Sequence, residues 1–91
     1  MPNVIWTIEF EVHAKRDLGR LDVTAQRRVL DYLQSRVASH PHPRSLGEPL
    51  SGRFAGLTRW RVGDYRVVGK IVDQQLIVVV VTVGHRREIY R

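Results

Sequence analysis

The chain contains no cysteine, and its only lysines are Lys15 and Lys70. The first absence excludes disulfides and thiolate metal sites and suits a reducing cytoplasm. Long apolar runs are missing too. The longest, Leu76 to Val83, is strand-sized and far short of the roughly 20 residues a membrane helix needs. No stretch has the make-up of a secretory signal, because the first apolar run, Val4 to Phe10, is interrupted by Thr7 and Glu9. Acids are scarce: 9 Asp and Glu stand against 15 Lys and Arg, a formal net charge of +6 over 91 residues. Nearly all the cations are arginines, whose planar fork of donors matches phosphate oxygens. Such a domain fits an anionic partner, most simply nucleic acid. It equally fits a solubilising surface, since net charge alone locates no site.

What is present reads as one α+β domain, residues 1–91: an N-terminal strand, two helices, then a three-stranded antiparallel meander. "VIWTIEF", Val4 to Phe10, has the β-branched and aromatic content of a strand. From Val12 to Leu21 the period changes, with Ala14, Leu18 and Leu21 at helical spacing. Asp22 is placed to cap a second helix from about Val23, whose apolar stripe is Val29, Leu30, Leu33 and Val37. The prolines and glycines of "HPHPRSLGEPLSG", His40 to Gly52, end that helix in a loop. Three strands follow, Leu57 to Val62, Tyr65 to Val72 and Leu76 to Val83, with Gly63-Asp64 as a two-residue hairpin turn. Leu76 to Val81 is apolar at every position, which predicts an interior strand covered on both faces, at least in part by the helices.

The hairpin sorts its side chains. With Gly63-Asp64 as the loop, Arg61 stands opposite Arg66, and directly opposed side chains share a face. Arg59 and Lys70 join them by the period of two, while Trp60, Val67 and Ile71 take the other face as core. Opposed like charges are destabilising, so folding alone accounts poorly for this face and a polyanion lying on it accounts for it well. The closing segment, "VTVGHRREIYR", adds to the same place. Gly84 is read as the end of the last strand, Arg86 lies just beyond the neighbour of Arg66, and Tyr90 follows four residues later. Arginines that reach one phosphate beside a ring that stacks on a base make an RNA site. Tyr90 also reads as a rim residue over the core. Arg61, Lys70, His85 and Arg87 are the surrounding candidate RNA contacts, although Arg87 and Arg91 read first as a solvated tail. His85 is a candidate base or points away from the site. His40 and His42 flank a proline without a third ligand near them, His13 reads as a surface residue, and no metal or cofactor is expected.

These segments resemble the RelE family of bacterial toxins within the RelE/ParE superfamily. The likeness rests on "DLGRLD" (17–22), "PLSG" (49–52), "RWRVGDYRVV" (59–68) and "VGHRREIYR" (83–91). It implies a toxin that cuts mRNA in the ribosomal A site by attack of a 2′-hydroxyl on the adjacent phosphate. By position it implies that Arg66 and Arg86 stabilise the reacting phosphate and that Tyr90 stacks on a base and takes part in proton transfer, which leaves Tyr90 and His85 as the candidate general bases. Arg59 and Leu57 stand where the family has lysines. An arginine keeps its proton, so Arg59 is a poor general base. The resemblance also implies a RelB-like antitoxin in a hetero-oligomer, with the ribosome and mRNA as further partners. The other branch of the superfamily implies a different activity, inhibition of DNA gyrase without RNA cleavage.

Overall fold

The computed structural model describes residues 4–87. Its first strand, β1 (Thr7–Phe10), runs parallel to its last, β5 (Ile77–His85), with Thr7 beside Ile77 and Phe10 beside Val80. The strand is shorter than its sequence promises. The amides of Ile5 and Trp6 both donate to the Ala38 carbonyl, which draws the chain off the sheet before Thr7. Helix α1 (Val12–Gly19) follows at once and stops two residues before the expected Leu21. The break lets Asp22 take the extended conformation that caps α2 (Val23–Tyr32), its Oδ1 accepting from the Ala25 amide at 2.8 Å. The helix runs on through a wider, π-type turn, Leu33–Val37.

The expected three-stranded meander is part of a larger mixed sheet, ordered β1, β5, β4 (Tyr65–Val72), β3 (Thr58–Val62), β2 (Glu48–Pro49). The strand β3 (Thr58–Val62) pairs with β4 (Tyr65–Val72) in the register that the Gly63-Asp64 turn dictates: Val62 with Tyr65, Arg61 with Arg66, Trp60 with Val67. Gly63 has φ +60°, a conformation open to glycine at little cost. The second strand, β2 (Glu48–Pro49), lies inside the expected loop and pairs Glu48 with Arg59. Two residues are too few to show a period.

Both helices pack on one face of the sheet. Val29, Leu33 and Val37 from the second helical segment and Ala14 from the first meet Trp60, Val67, Ile71, Val78, Val80 and Val83 in a single core. The expectation that β5 is covered on both faces is therefore corrected. Val78 and Val80 are fully buried, whereas Ile77, Val79 and Val81 on the opposite face are only half-buried. A parallel neighbour on one side and an antiparallel one on the other make β5 interior to the sheet, and this selects apolar residues along its whole length without a second layer. Gly84 also departs from expectation. It does not end the strand but sits within it, opposite Arg66, and β5 continues to His85. The helix-free face is left open for the cations.

Candidate functional site

The open face is built by the β3–β4 hairpin and the end of β5. Arg59, Arg61, Arg66 and Lys70 all lie on it, as alternation from the turn requires. Arg61 and Lys70 are exposed, and Arg59 and Arg66 are half-buried. Arg66 is held against the turn, its Nη1 donating to the carbonyls of Gly63 (2.9 Å) and Tyr65 (3.0 Å). Arg86 is placed by its backbone, the amide donating to the Asp64 carbonyl at 2.8 Å. Arg66 and Arg86 are thus anchored to one two-residue turn from neighbouring strands.

A bulge decides which C-terminal side chains join them. Gly69 pairs with Val80 but Val68 pairs with Thr82, so Val81 is an extra residue in β5. Counting in twos from buried Val78 and Val80 would send Gly84 and Arg86 to the core side. The extra residue reverses the alternation. Val83 becomes buried and Gly84 falls opposite Arg66, while Arg86, in the turn just past the strand, is exposed. His85 goes the other way. Its ring meets Tyr65 edge-on, with centroids 5.8 Å apart, and Tyr65 packs on the core. His85 thus faces away from the cationic face, the second of the two orientations open to it from the sequence. Both rings help line a concavity with Asp17, Arg20 and Leu21 on the helix side of the sheet.

The remaining candidates divide. Arg87 is exposed, its amide donating to His85 Nδ1 at 3.3 Å. Tyr90 and Arg91 lie outside the described residues. His42 donates its amide to His40 Nδ1 at 2.9 Å, a local turn contact. Among the described residues no three His, Asp or Glu side chains gather as a metal site.

Three residues missed in the sequence belong to this region. Glu48, brought in by β2, reaches both arginines of β3. Its Oε2 accepts from Arg59 Nη2, and its Oε1 lies 3.1 Å from Arg61 Nη2. The Arg59 hydrogen bond, followed by the charges of Arg61, Arg59 and Arg66, holds the Glu48 carboxyl below its ordinary range. Between residues 33 and 87 the acids are Glu48, Asp64 and Asp73 alone, and that scarcity among so many arginines was the available signal. Arg28 of α2 reaches the turn from the other side of the sheet: a Cβ added at Gly63 would stand 2.8 Å from its Nη2. Asp17 of α1 secures the end of β5. Beyond Val80 that edge has no strand partner, and Asp17 Oδ2 accepts from Thr82 Oγ1 (2.7 Å) and the Val83 amide (3.1 Å), with His13 Nε2 at 3.3 Å. The Asp17 side chain is only 10% exposed. Asp17→Ala should therefore lower stability by about 1–3 kcal/mol, the usual cost of stranding a buried donor. Urea unfolding measures it, and Asp17→Asn, which keeps an acceptor oxygen, should lose less.

Comparison with known proteins places the chain among the toxins of the type II toxin–antitoxin class. Over residues 8–90 the chain matches the family described as ParE toxin of type II toxin-antitoxin system, parDE, and it belongs to that family. Two curated relatives from Mycobacterium tuberculosis carry RelE-type names. Toxin RelG is 33% identical over 86 residues, covering 94% of this chain and 97% of the relative. Toxin RelE is 35% identical over 78 residues, covering 86% and 78%. Among solved structures, the toxin–antitoxin complex RelBE2 of the same organism aligns with a TM-score of 0.83 at 31% identity, over 91% of this chain and 100% of that one. The archaeal RelE–RelB complex from Pyrococcus horikoshii aligns with a TM-score of 0.66 at 24% identity, over 92% of this chain and 98% of that one, and supports the fold. The RelE-family resemblance read from the sequence is borne out by these relatives.

Proposed function

We propose that this toxin is a ribosome-dependent endoribonuclease that cuts mRNA in the A site. The observation that carries the reading is the open sheet face, which Arg59, Arg61 and Arg66 share, with Arg66 held at the hairpin turn and the Arg86 backbone tied to that turn. In the proposed step a 2′-hydroxyl gives up its proton to a base and its oxygen attacks the adjacent phosphorus. The bond to the 5′-oxygen breaks, and that oxygen takes a proton. A 2′,3′-cyclic phosphate and a 5′-hydroxyl remain. Charge gathers on the phosphoryl oxygens as the new bond forms. Arg66 and Arg86 are assigned to stabilise it, because fixed donors aimed at developing charge are the largest single aid to such a step. Arg59 stays protonated and contributes charge. Arg61 and Lys70 are assigned to neighbouring phosphates, and Tyr90 to stacking on a base.

No side chain on the described part of this face is an evident free base, and this favours dependence on the ribosome. A ribosome that holds mRNA in line for attack lowers the barrier by positioning, and water or a group of the ribosome takes the 2′-hydroxyl proton there. Purified toxin should leave naked RNA largely intact and cut the same mRNA once ribosomes are programmed with an open A site. Fast cutting of free RNA would instead identify a self-sufficient nuclease. The partner we propose is a RelB-like antitoxin that covers the basic surface in a hetero-oligomer, and the place of action is the cytoplasm, where translation occurs. The solved RelBE2 neighbour, a toxin–antitoxin complex, supports the antitoxin partner.

A further inference from the structure

The Glu48 carboxylate sits where a phosphate would. Each of its oxygens faces a different guanidinium, Oε2 on Arg59 and Oε1 on Arg61. Two non-bridging phosphodiester oxygens present a similar fork, and arginine pairs bind either anion in this way. The two arginines are unequally mounted: the Arg59 side chain is 20% exposed and the Arg61 side chain 62%. Half of the Glu48 side chain is open to water, so its carboxylate can swing out and be hydrated, and an exposed ion pair holds it only weakly.

We infer that Arg59 and Arg61 form an RNA phosphate subsite that Glu48 occupies in the free toxin and that incoming RNA must take from it. The inference rests on the proposed RNA-binding face and adds a resident competitor to it. Glu48 then makes free RNA a poorer ligand than the count of arginines implies. A substrate already held in place, as on a ribosome, displaces it at smaller cost.

The test uses the full chain and a single-stranded RNA with 2′-O-methyl groups throughout, which cannot be cleaved. Binding is measured across a salt series for wild type, Glu48→Gln and Glu9→Gln. Glu9 is the control because its removal changes net charge equally. It is exposed on β1 and shares the open face, level with Lys70 across β5, but lies three strands from β3, hence roughly 14 Å from the subsite at 4.7–4.9 Å per strand, so it reports the effect of one charge on that face away from Arg59 and Arg61. Glu48→Gln should bind about three- to tenfold tighter than wild type and steepen the slope of log K against log salt by up to about 0.7, the value of one single-strand phosphate. The gain should vanish when Arg61→Ala is added. If Glu48→Gln and Glu9→Gln bind alike, or Glu48→Gln binds more weakly than wild type, the subsite assignment is overturned while the nuclease reading stands. If no form binds this RNA even at low salt, the subsite assignment is overturned, while the nuclease reading, which needs RNA only as the ribosome presents it, still stands or falls on cleavage by programmed ribosomes.

Discussion

Replacing Arg66 with alanine should slow cleavage on programmed ribosomes by roughly a hundred- to a thousandfold, and Arg86→Ala should do the same. The magnitude is that of losing one preorganised donor to a transition-state anion, about 3–4 kcal/mol. Structure should suffer little. Among the described residues the Arg66 guanidinium bonds to the carbonyls of Gly63 and Tyr65 at the turn, and the Arg86 contact to Asp64 is made by its backbone, which alanine retains. Single-turnover measurement at saturating toxin separates the chemical step from binding. Arg66→Lys keeps the charge but loses the fork, so it should fall between wild type and alanine. A well-folded Arg66→Ala or Arg86→Ala protein that cleaves like wild type would show that the reacting phosphate does not lie at this turn.

Trp60→Ala should be the most destructive single change to the fold. Trp60 is fully buried, and its indole donates to the Pro43 carbonyl at 2.9 Å. Two glycines make room for it: a Cβ would stand 3.0 Å from the ring at Gly47 and 3.1 Å from it at Gly69. Removing such a side chain typically costs 3–5 kcal/mol, against a total of about 5–15 kcal/mol for a small domain. The variant should unfold at much lower urea or fail to accumulate folded. Trp60→Phe keeps most of the packing but strands the Pro43 carbonyl and should lose about 1–3 kcal/mol. Circular dichroism through a urea titration gives both values. A Trp60→Ala loss below about 1 kcal/mol would mean that the core does not depend on this ring.

Much of the site was legible in the sequence because it lies on one hairpin. Gly63-Asp64 sets the register of β3 and β4, and register alone puts Arg61 opposite Arg66 and leaves Trp60 and Val67 to the core. The helices were legible from their period and from the Asp22 cap. What was not legible depends on contacts that local pattern does not encode. Glu48 enters on a strand of two residues. Asp17 caps an edge 65 positions away in the chain. The bulge at Val81 reverses the alternation of β5, turning His85 toward Tyr65 and Gly84 toward Arg66. Gly84 reads as a terminator because glycine so often ends strands, yet here it continues the ladder opposite Arg66.

The most direct test of the central claim is to induce the toxin briefly in cells and map RNA 5′ ends across translated messages. Cleavage in the A site predicts new 5′-hydroxyl ends within codons of translated regions, absent from untranslated RNA and absent after Arg66→Ala. Intact mRNA accompanied by DNA breaks and an SOS response would contradict it and assign the toxin to gyrase.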